Sequence, residues 1–279
     1  MAKKVSLINM KGGVGKSTLA VNLAWHFYWF NDLRVLVVDL DPQFNASQYL
    51  LGVMRYQRVL EDNVPTVWDI FEQFTRTPSG GQPKPLDPKS VAYNVTEHPG
   101  DGRIDLIPSR LELAYSLLNP GQKEELLAKL IARIEHDYDL IIFDCPPTES
   151  LLTTAAYLAS DFILVPVKPE YLSSIGLPLL VRSMRDFKRR HGRRKLKLAG
   201  VVFNATSEYA PEEIKSKREV REIAQKNKWY VFGNEVTYSR SYPKGAREGR
   251  PIFGTSYSRT STAQQFAAFA KELAPRIGV

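Results

Sequence analysis

The segment Lys11-Gly12-Gly13-Val14-Gly15-Lys16-Ser17-Thr18 is the most specific signal in the chain. An apolar strand pattern at residues 5–9 comes directly before it, and an apolar helical pattern, Lys16–Asn31, begins inside it. A glycine-rich turn between a strand and a helix is the context that a phosphate-binding loop requires. The sequence therefore predicts that this segment wraps around the phosphates of a nucleotide.

The residue types in this segment suit phosphate chemistry. Glycines let successive backbone N–H groups point inward as an anion-binding nest, and the start of the helix adds partial positive charge. Lys16 is placed to reach the β- and γ-phosphates, and the Ser17 hydroxyl can ligate Mg²⁺. An accidental Gly-Lys-Ser in an ordinary glycine-rich turn would not explain the strand and the helix that flank it.

Carboxylates follow two further apolar strand patterns. Asp39 ends the pattern Arg34–Asp39, Asp41 comes two residues later, and Asp144 ends the pattern Leu140–Asp144. Ligands in open α/β sheets bind at the carboxyl ends of the strands, so these three side chains can converge on the phosphate loop. One aspartate at a strand end is more often a turn or cap, but three beside a phosphate loop favour a nucleotide–Mg²⁺ site, with Asp144 holding the ion through its water shell.

Strand and helix patterns alternate along the rest of the chain. The strand patterns cover residues 5–9, 34–39, 104–108, 140–144, 162–167, 198–204 and 229–232. The helical patterns cover residues 16–31, 67–74, 124–136, 148–158, 177–190, 211–226 and 263–273. This alternation predicts an α/β fold, a doubly wound and mostly parallel sheet with helices on both faces. Residues 77–102, rich in proline and glycine, are predicted as an insertion in a single domain spanning residues 1–279.

Composition narrows the class of protein. Of 279 residues, 43% are hydrophobic and 24% are charged, which is typical of a globular protein and excludes a largely disordered chain. The single cysteine, Cys145, excludes an internal disulfide and a cysteine-only metal site within one chain, and it fits a reduced, cytoplasmic setting. His26, inside an apolar helical pattern, is predicted as a core or interface residue. The net charge of +8 favours contact with a polyanion, either nucleic acid or an anionic membrane.

The phosphate loop departs from its usual form, in which a glycine stands where this chain has Met10, so that Lys11 is an extra lysine at the head of the loop. With this loop and the runs Val38-Asp-Leu-Asp-Pro-Gln43 and Phe143-Asp-Cys-Pro-Pro147, the chain resembles the ParA/MinD family of deviant Walker A ATPases. The first run looks especially like the ParA branch, which moves plasmids, chromosomes or other large cargo over the nucleoid. The resemblance covers most of the chain and weakens in residues 77–102 and after about Asn204.

The resemblance implies a homodimer that sandwiches two ATP molecules with Mg²⁺. Lys11 would reach the partner's nucleotide, Asp41 would orient or activate the attacking water, and Asp39, Asp144 and Ser17 would serve the Mg²⁺ site. Lys11, Lys16 and Asp41 are thus the expected catalytic residues. The residues expected to bind the nucleotide are Lys11, Gly12, Gly13, Val14, Gly15, Lys16, Ser17, Thr18 and, at the base, Asn204. Hydrolysis would release the dimer, and a ParB-like or other adaptor protein would stimulate a slow turnover.

Positive charge is concentrated between residues 182 and 197, where Asp186 is the only acid. Such a run is usually only a solvated face, but the family and the overall charge favour DNA. Contact with phosphates and no base readout would make binding to double-stranded DNA salt-sensitive and nonspecific. The residues predicted to bind DNA are Arg182, Arg185, Lys188, Arg189, Arg190, Arg193 and Arg194.

Two alternatives use the same fold. A MinD-like ATPase that docks on membrane needs an amphipathic helix with basic and bulky apolar faces, whereas residues 263–275 are rich in alanine and carry one lysine and one glutamate. In an iron–sulfur reductase a cluster bridging the dimer needs paired cysteines from each chain, and a small-molecule synthetase has no obvious use for the basic cluster. We therefore expect a cytoplasmic, nucleoid-associated ATPase with no membrane partner.

Overall fold

The fold is organised around one eight-stranded sheet with the strand order β3-β4-β2-β5-β1-β6-β7-β8. The computed structural model describes residues 1–74, 85–96, 100–118, 123–170, 173–192, 196–207, 211–255 and 260–279. Within these residues the strands are β1 Lys3–Leu7, β2 Arg34–Asp39, β3 Tyr93–Asn94, β4 Arg103–Ile107, β5 Leu140–Asp144, β6 Phe162–Val167, β7 Lys197–Thr206 and β8 Val236–Thr237.

Nine α-helices flank this sheet in the described part of the chain. They are α1 Lys16–Asn31, α2 Asn45–Glu61, α3 Val67–Glu72, α4 Leu126–Ile134, α5 Leu151–Ala159, α6 Ser173–Arg190, α7 Pro211–Lys226, α8 Ser241–Glu248 and α9 Thr260–Ile277. Short 3₁₀ helices cover Pro88–Ser90, Leu111–Leu117 and Glu135–Asp137.

Apolar side chains are buried on both faces of the sheet, since successive residues of a strand point to opposite faces and helices cover both. In β2, Val35 and Val37 join one apolar cluster, while Leu36 and Val38 join the other. The first cluster is completed by apolar residues of α1, α2, α8 and α9, and the second by residues of α3 to α7. The predicted doubly wound arrangement, with helices on both faces, is therefore confirmed.

Strand pairing sets the position of the acidic residues. β1 pairs in parallel with β5, and β5 pairs in parallel with β2. In this register Asp39 lies opposite Asp144, and Leu7 lies opposite Asp144 on the other side. The two aspartates therefore end adjacent strands at the carboxyl edge of the sheet, beside the loop that follows β1.

Three predicted strands, Arg34–Asp39, Leu140–Asp144 and Phe162–Val167, have the predicted bounds, as do the helices Lys16–Asn31 and Pro211–Lys226. The strand predicted at residues 229–232 is wrong. There the chain makes one isolated bridge, between Val201 and Val231, before it turns away. The turn is fixed by Glu272, whose carboxylate accepts hydrogen bonds from the backbone N–H groups of Gly233 and Asn234.

Two helices, α2 and α8, were not predicted. In α2 the helical pattern is broken at Gly52, which has φ 70° and ψ 162° and divides the helix into two halves. Gly249, which follows α8, packs against this break, since a Cβ on Gly249 would lie 3.4 Å from the Gly52 backbone nitrogen. Within the insertion predicted at residues 77–102, residues 85–96 and 100–102 are described, and this part adds β3 antiparallel to β4 at the sheet edge.

The C-terminal helix α9 is part of the core. Phe266, Phe269 and Leu273 on this helix are buried in the same cluster as α1. Within the described residues, no helix has both the length and the apolar character that crossing a bilayer demands.

His26 lies in an aromatic cluster on α1, as the core prediction requires. Its ring centroid is 5.0 Å from that of Phe30 and 5.7 Å from that of Phe253, and Nδ1 has no hydrogen-bond partner among the described residues. Burial, assisted by the positive charge of Lys271, lowers the pKa of His26 to about 4. The folded protein therefore holds this imidazole neutral.

Acid should destabilise the fold through His26. Because its pKa is lowered from 6.5 to about 4, the unfolded chain takes up the proton first, and stability is lost as the pH falls through this window. We expect a loss of about 2 kcal/mol, and we expect His26→Phe to flatten this part of the pH profile. Urea unfolding at pH 7.0, 5.5 and 4.5 measures this loss of stability. The control is His136→Phe, at a side chain that is 69% exposed, and equal slopes in both variants would exclude His26 as the source.

Candidate active site

The loop between β1 and α1 has the backbone of an anion-binding nest. Gly13 and Gly15 have φ values of 73° and 84°, in the left-handed region that favours glycine. Gly15 is the N-cap of α1, and no side chain makes a capping hydrogen bond there. The first N–H groups of α1 are therefore left for an external acceptor, which the helix dipole makes favourable for an anion.

Two asparagines tie this loop to neighbouring strands. Asn9 donates from Nδ2 to the Pro166 carbonyl at 2.7 Å, and its Oδ1 accepts the backbone N–H of Lys11 at 2.9 Å. Asn204 donates from Nδ2 to the Val14 carbonyl at 2.7 Å. The contact of Asn204 with the base stays a prediction; the structure shows that its amide also fixes the loop.

Lys16 lies inside the loop and is 6% exposed. Its Nζ donates to the carbonyls of Asn9 and Lys11, each at 3.4 Å. Burial lowers the pKa of Lys16, while the negative charge of Asp144 opposes this shift. Two long hydrogen bonds to uncharged carbonyls offset little of the free-energy cost of burying an ammonium group, so this position suits an anionic ligand.

Asp39 is fully buried and hydrogen-bonded to the start of α2. Its Oδ2 accepts the Ser47 N–H at 2.8 Å and the Ser47 hydroxyl at 2.7 Å, and its Oδ1 accepts the Asp41 N–H at 3.2 Å. Burial nevertheless raises the pKa of Asp39 to about 7. Asp41, 8% exposed, accepts the Gln43 N–H at 3.0 Å.

The surroundings of Asp144 favour a bound cation. It is fully buried, and neither carboxylate oxygen has a hydrogen-bond partner that meets strict geometry among the described residues. Burial and then the charge of Asp39 raise the pKa of Asp144, while the Ser17 hydroxyl and Lys16 act in the opposite direction. Unsatisfied carboxylate oxygens in a buried site are costly unless a cation or proton balances them.

These residues fit Mg²⁺. No group of three or more His, Cys, Asp or Glu side chains in the described part of the chain forms a complete protein cage for a metal ion. Mg²⁺ is usually held by one or two carboxylates together with waters and substrate phosphates, and this is the donor set that Asp144, Asp39 and Ser17 provide next to the loop.

The other residues predicted for the loop all lie between β1 and the first turn of α1. Gly12 and Gly13 are exposed, Val14 is buried, and Ser17 and Thr18 are half-buried in the first turn of α1. Lys11 is not directed at the phosphate position of its own loop. Its Nζ forms an ion pair with Glu170 at 2.8 Å.

Sequence reasoning missed Asn22, a fully buried polar residue on α1. Its Nδ2 donates to the Thr18 carbonyl at 2.8 Å and to the Tyr49 hydroxyl at 3.0 Å, and its Oδ1 accepts the Ile252 N–H at 2.7 Å. It thereby joins α1, α2 and the segment after α8. An asparagine inside an apolar helical pattern was the signal available for it. Ser47, the partner of Asp39, gave none, because α2 was not predicted.

The predicted DNA-binding residues divide into two groups. Arg182, Arg185, Lys188, Arg189 and Arg190 are exposed on α6, whose opposite side buries Leu177, Leu180 and Phe187. Asp186 lies between two of the arginines, 3.8 Å from Arg182 and 3.4 Å from Arg189. Arg193 and Arg194 lie outside the described residues.

Comparisons with known proteins identify the family of this chain. Residues 2–198 match the model of the AAA_31 family, described as an AAA domain. The chain is 30% identical over 256 residues to an uncharacterized protein of Methanocaldococcus jannaschii, covering 89% of this chain and 90% of that one. It is 26% identical over 279 residues to the chromosome-partitioning ATPase Soj of Treponema pallidum, covering 100% and 99%. The chain belongs to the ParA/MinD family of ATPases.

The fold of this ParA/MinD-family chain is shared with solved structures of low sequence identity. The ATP complex of a Cyanothece McdA variant is 18% identical, with a TM-score of 0.80 over 100% of this chain and 97% of that one. At this identity the likeness shows the fold alone, a mostly parallel sheet with helices on both faces.

Gly15 offers a test of how Asn204 holds the loop. A Cβ at Gly15 would lie 2.2 Å from Asn204 Nδ2, whereas a Cβ at Gly13 would meet nothing within 4 Å. Both positions have positive φ, so alanine at either costs about 1–2 kcal/mol of backbone strain. We expect Gly15→Ala to destabilise the nucleotide-free protein more than Gly13→Ala, because it also displaces the Asn204 amide from Val14.

Urea unfolding of both variants measures this difference. Asn204→Ala removes the clashing amide, so the double variant with Gly15→Ala should lose less stability than the sum of the two single variants. A strictly additive double variant would show that the Gly15 effect does not pass through Asn204.

Proposed function

We propose that this ATPase forms an ATP-sandwich homodimer that binds double-stranded DNA nonspecifically. It hydrolyses ATP to drive the segregation or positioning of a plasmid, a chromosome or another large cargo. The observation that carries the proposal is the path of α6. Its beginning packs on the phosphate loop, where a Cβ on Gly176 would lie 3.5 Å from Lys11 Cβ, and its far end carries the exposed arginines.

Nucleotide binding in this proposal uses the buried charges of the site. Lys16 moves from its weak carbonyl contacts to the β- and γ-phosphates, where an ammonium finds stronger, charge-assisted hydrogen bonds. Ser17, Asp39 and Asp144 would hold Mg²⁺, which would neutralise negative charge that develops on the phosphates. Asn204 stays at the loop and contacts the base.

Hydrolysis in this proposal depends on Asp41 and on a second subunit. Asp41 follows β2 at the rim of the site, where its carboxylate can orient or activate the attacking water. Lys11 of each subunit reaches the nucleotide of the other and stabilises the transition state. Loss of the γ-phosphate removes these contacts and releases the dimer, and an adaptor protein sets the rate at which this happens.

We assign DNA as the ligand that the α6 arginines bind. Their side chains are exposed, Arg182 by 79% and Arg189 by 80%, and Asp186 is the single acid among them. Membrane docking has less support, because the apolar side chains of α9 are buried in the core and not available to lipid. We place the protein in the cytoplasm, on the nucleoid.

Binding to a random-sequence duplex across a salt series, with ATP, ADP or no nucleotide, tests the proposal. We expect tight binding with ATP only. If about six phosphates are neutralised per dimer, the slope of log K against log salt is about −5. Arg185→Glu with Arg189→Glu should lower the affinity at least about tenfold and reduce the slope to about −2, because four contacts per dimer are lost.

The matched control carries the same change in charge at two exposed residues away from α6, Arg58→Glu with Lys271→Glu. An equal loss in both double variants would reduce the effect to net charge. Binding that does not depend on the nucleotide, or no binding at low salt, would contradict the proposal.

Lys11→Ala should abolish ATP-dependent dimerisation, measured by light scattering after size-exclusion chromatography.

A further inference from the structure

Lys11 lies within its own subunit in an ion pair. Its Nζ is 2.8 Å from Glu170 Oε2, and the other oxygen of the same carboxylate pairs with Lys168. The side chain of Lys11 is 23% exposed and that of Glu170 is 45% exposed. Lys11, and then Lys168, hold the pKa of Glu170 below its usual range, so the pair is charged at neutral pH.

The segment that carries Glu170 is fixed at several points. The Glu170 N–H donates to the Lys168 carbonyl at 2.8 Å, and the Glu170 carbonyl accepts the Ser216 hydroxyl of α7 at 3.0 Å. Beyond it, Gly176 leaves room for the phosphate loop, since a Cβ there would lie 3.1 Å from Asn9 Oδ1. Glu170, held by Ser216, and Gly176 therefore both lie against the residues at the head of the phosphate loop.

We infer that Glu170 is a positioning residue that holds Lys11 in its own subunit until a partner's nucleotide takes its place. This inference rests on the proposed ATP sandwich, because there Lys11 must leave Glu170 to reach the partner's phosphates. One ammonium cannot serve both anions, so each sandwich requires two Lys11–Glu170 pairs to be exchanged. The exchange removes one of the two ammonium groups from a carboxylate that comes shortly before the basic helix α6 in the chain.

Lys168 affects how strongly Glu170 attracts Lys11. Two ammonium groups share one carboxylate, so each weakens the attraction that the other feels. Removal of Lys168 strengthens the attraction between Glu170 and Lys11, whereas removal of the Glu170 charge weakens the hold on Lys11. The two substitutions therefore have opposite effects on the exchange, which a general loss of stability would not produce.

ATP-dependent dimerisation in an Asp41→Ala background, where hydrolysis is blocked, tests the inference. Partly exposed ion pairs weaken an equilibrium about 1.4- to 5-fold each, so two pairs give about 2- to 25-fold per dimer. We expect Glu170→Gln to tighten the dimer by a factor in this range and Lys168→Gln to weaken it. Analytical ultracentrifugation at saturating ATP gives both constants.

The control is Glu125→Gln, which removes a carboxylate that is 2.9 Å from Lys129 on α4, away from the loop. It should leave the dimer constant unchanged. A weaker dimer with Glu170→Gln would overturn the inference and place Glu170 in the contact between subunits, and an unchanged constant would also overturn it. Absence of any ATP-dependent dimer in the background protein would instead contradict the proposed sandwich.

A second measurement does not depend on dimerisation. An amine-acylating reagent modifies a lysine faster when no carboxylate holds the ammonium, so Lys11 labelling in the nucleotide-free monomer reports the ion pair itself. We expect Glu170→Gln to increase the labelling rate of Lys11 at least about twofold, with Lys129 as the internal reference, and Lys168→Gln to decrease it. Equal rates in wild type and Glu170→Gln would refute the hold on Lys11, whatever the dimer constants show.

Discussion

Buried charge at the carboxyl edge of the sheet is the constraint on which the site depends. The register of β2, β5 and β1 puts Asp39 opposite Asp144 and both of them beside the phosphate loop. Two carboxylates and one ammonium share a volume from which water is largely excluded, where unbalanced charge is costly. The residues are therefore arranged for a ligand that brings both a cation and phosphates, and not for the stability of the ligand-free protein.

The surroundings of these charges divide into satisfied and unsatisfied groups. Asp39 accepts three hydrogen bonds, two of them from Ser47, so its position is fixed before any ligand arrives. Asp144 accepts none of strict geometry from the described residues, and Lys16 has only two long contacts. The site thus combines a rigid frame with a few groups whose hydrogen bonds are left to the ligand, which is how binding energy is gained at small cost in ordering.

The sequence predicted those elements whose formation depends on residues that are neighbours in the chain. The glycine loop needs its own backbone conformation, and buried strands such as Leu140–Asp144 need continuous apolar residues, so both could be read directly. The helix α2 could not, because Gly52 breaks its periodicity and Phe44, its N-cap residue, is not a typical cap. The Lys11–Glu170 pair joins residues 159 positions apart, and no local pattern indicates such a partner.

The break in α2 has a mechanical consequence. The half before Gly52 is bonded to Asp39 through Ser47, and the Ser47 hydroxyl also accepts the Ser109 N–H at 3.0 Å. The half after Gly52 reaches the same residue, since the Tyr56 hydroxyl donates to the Ser109 carbonyl at 2.9 Å. Because both halves are bonded to Ser109, which follows β4, the position of Asp39 is coupled to this edge of the sheet on both sides of the break.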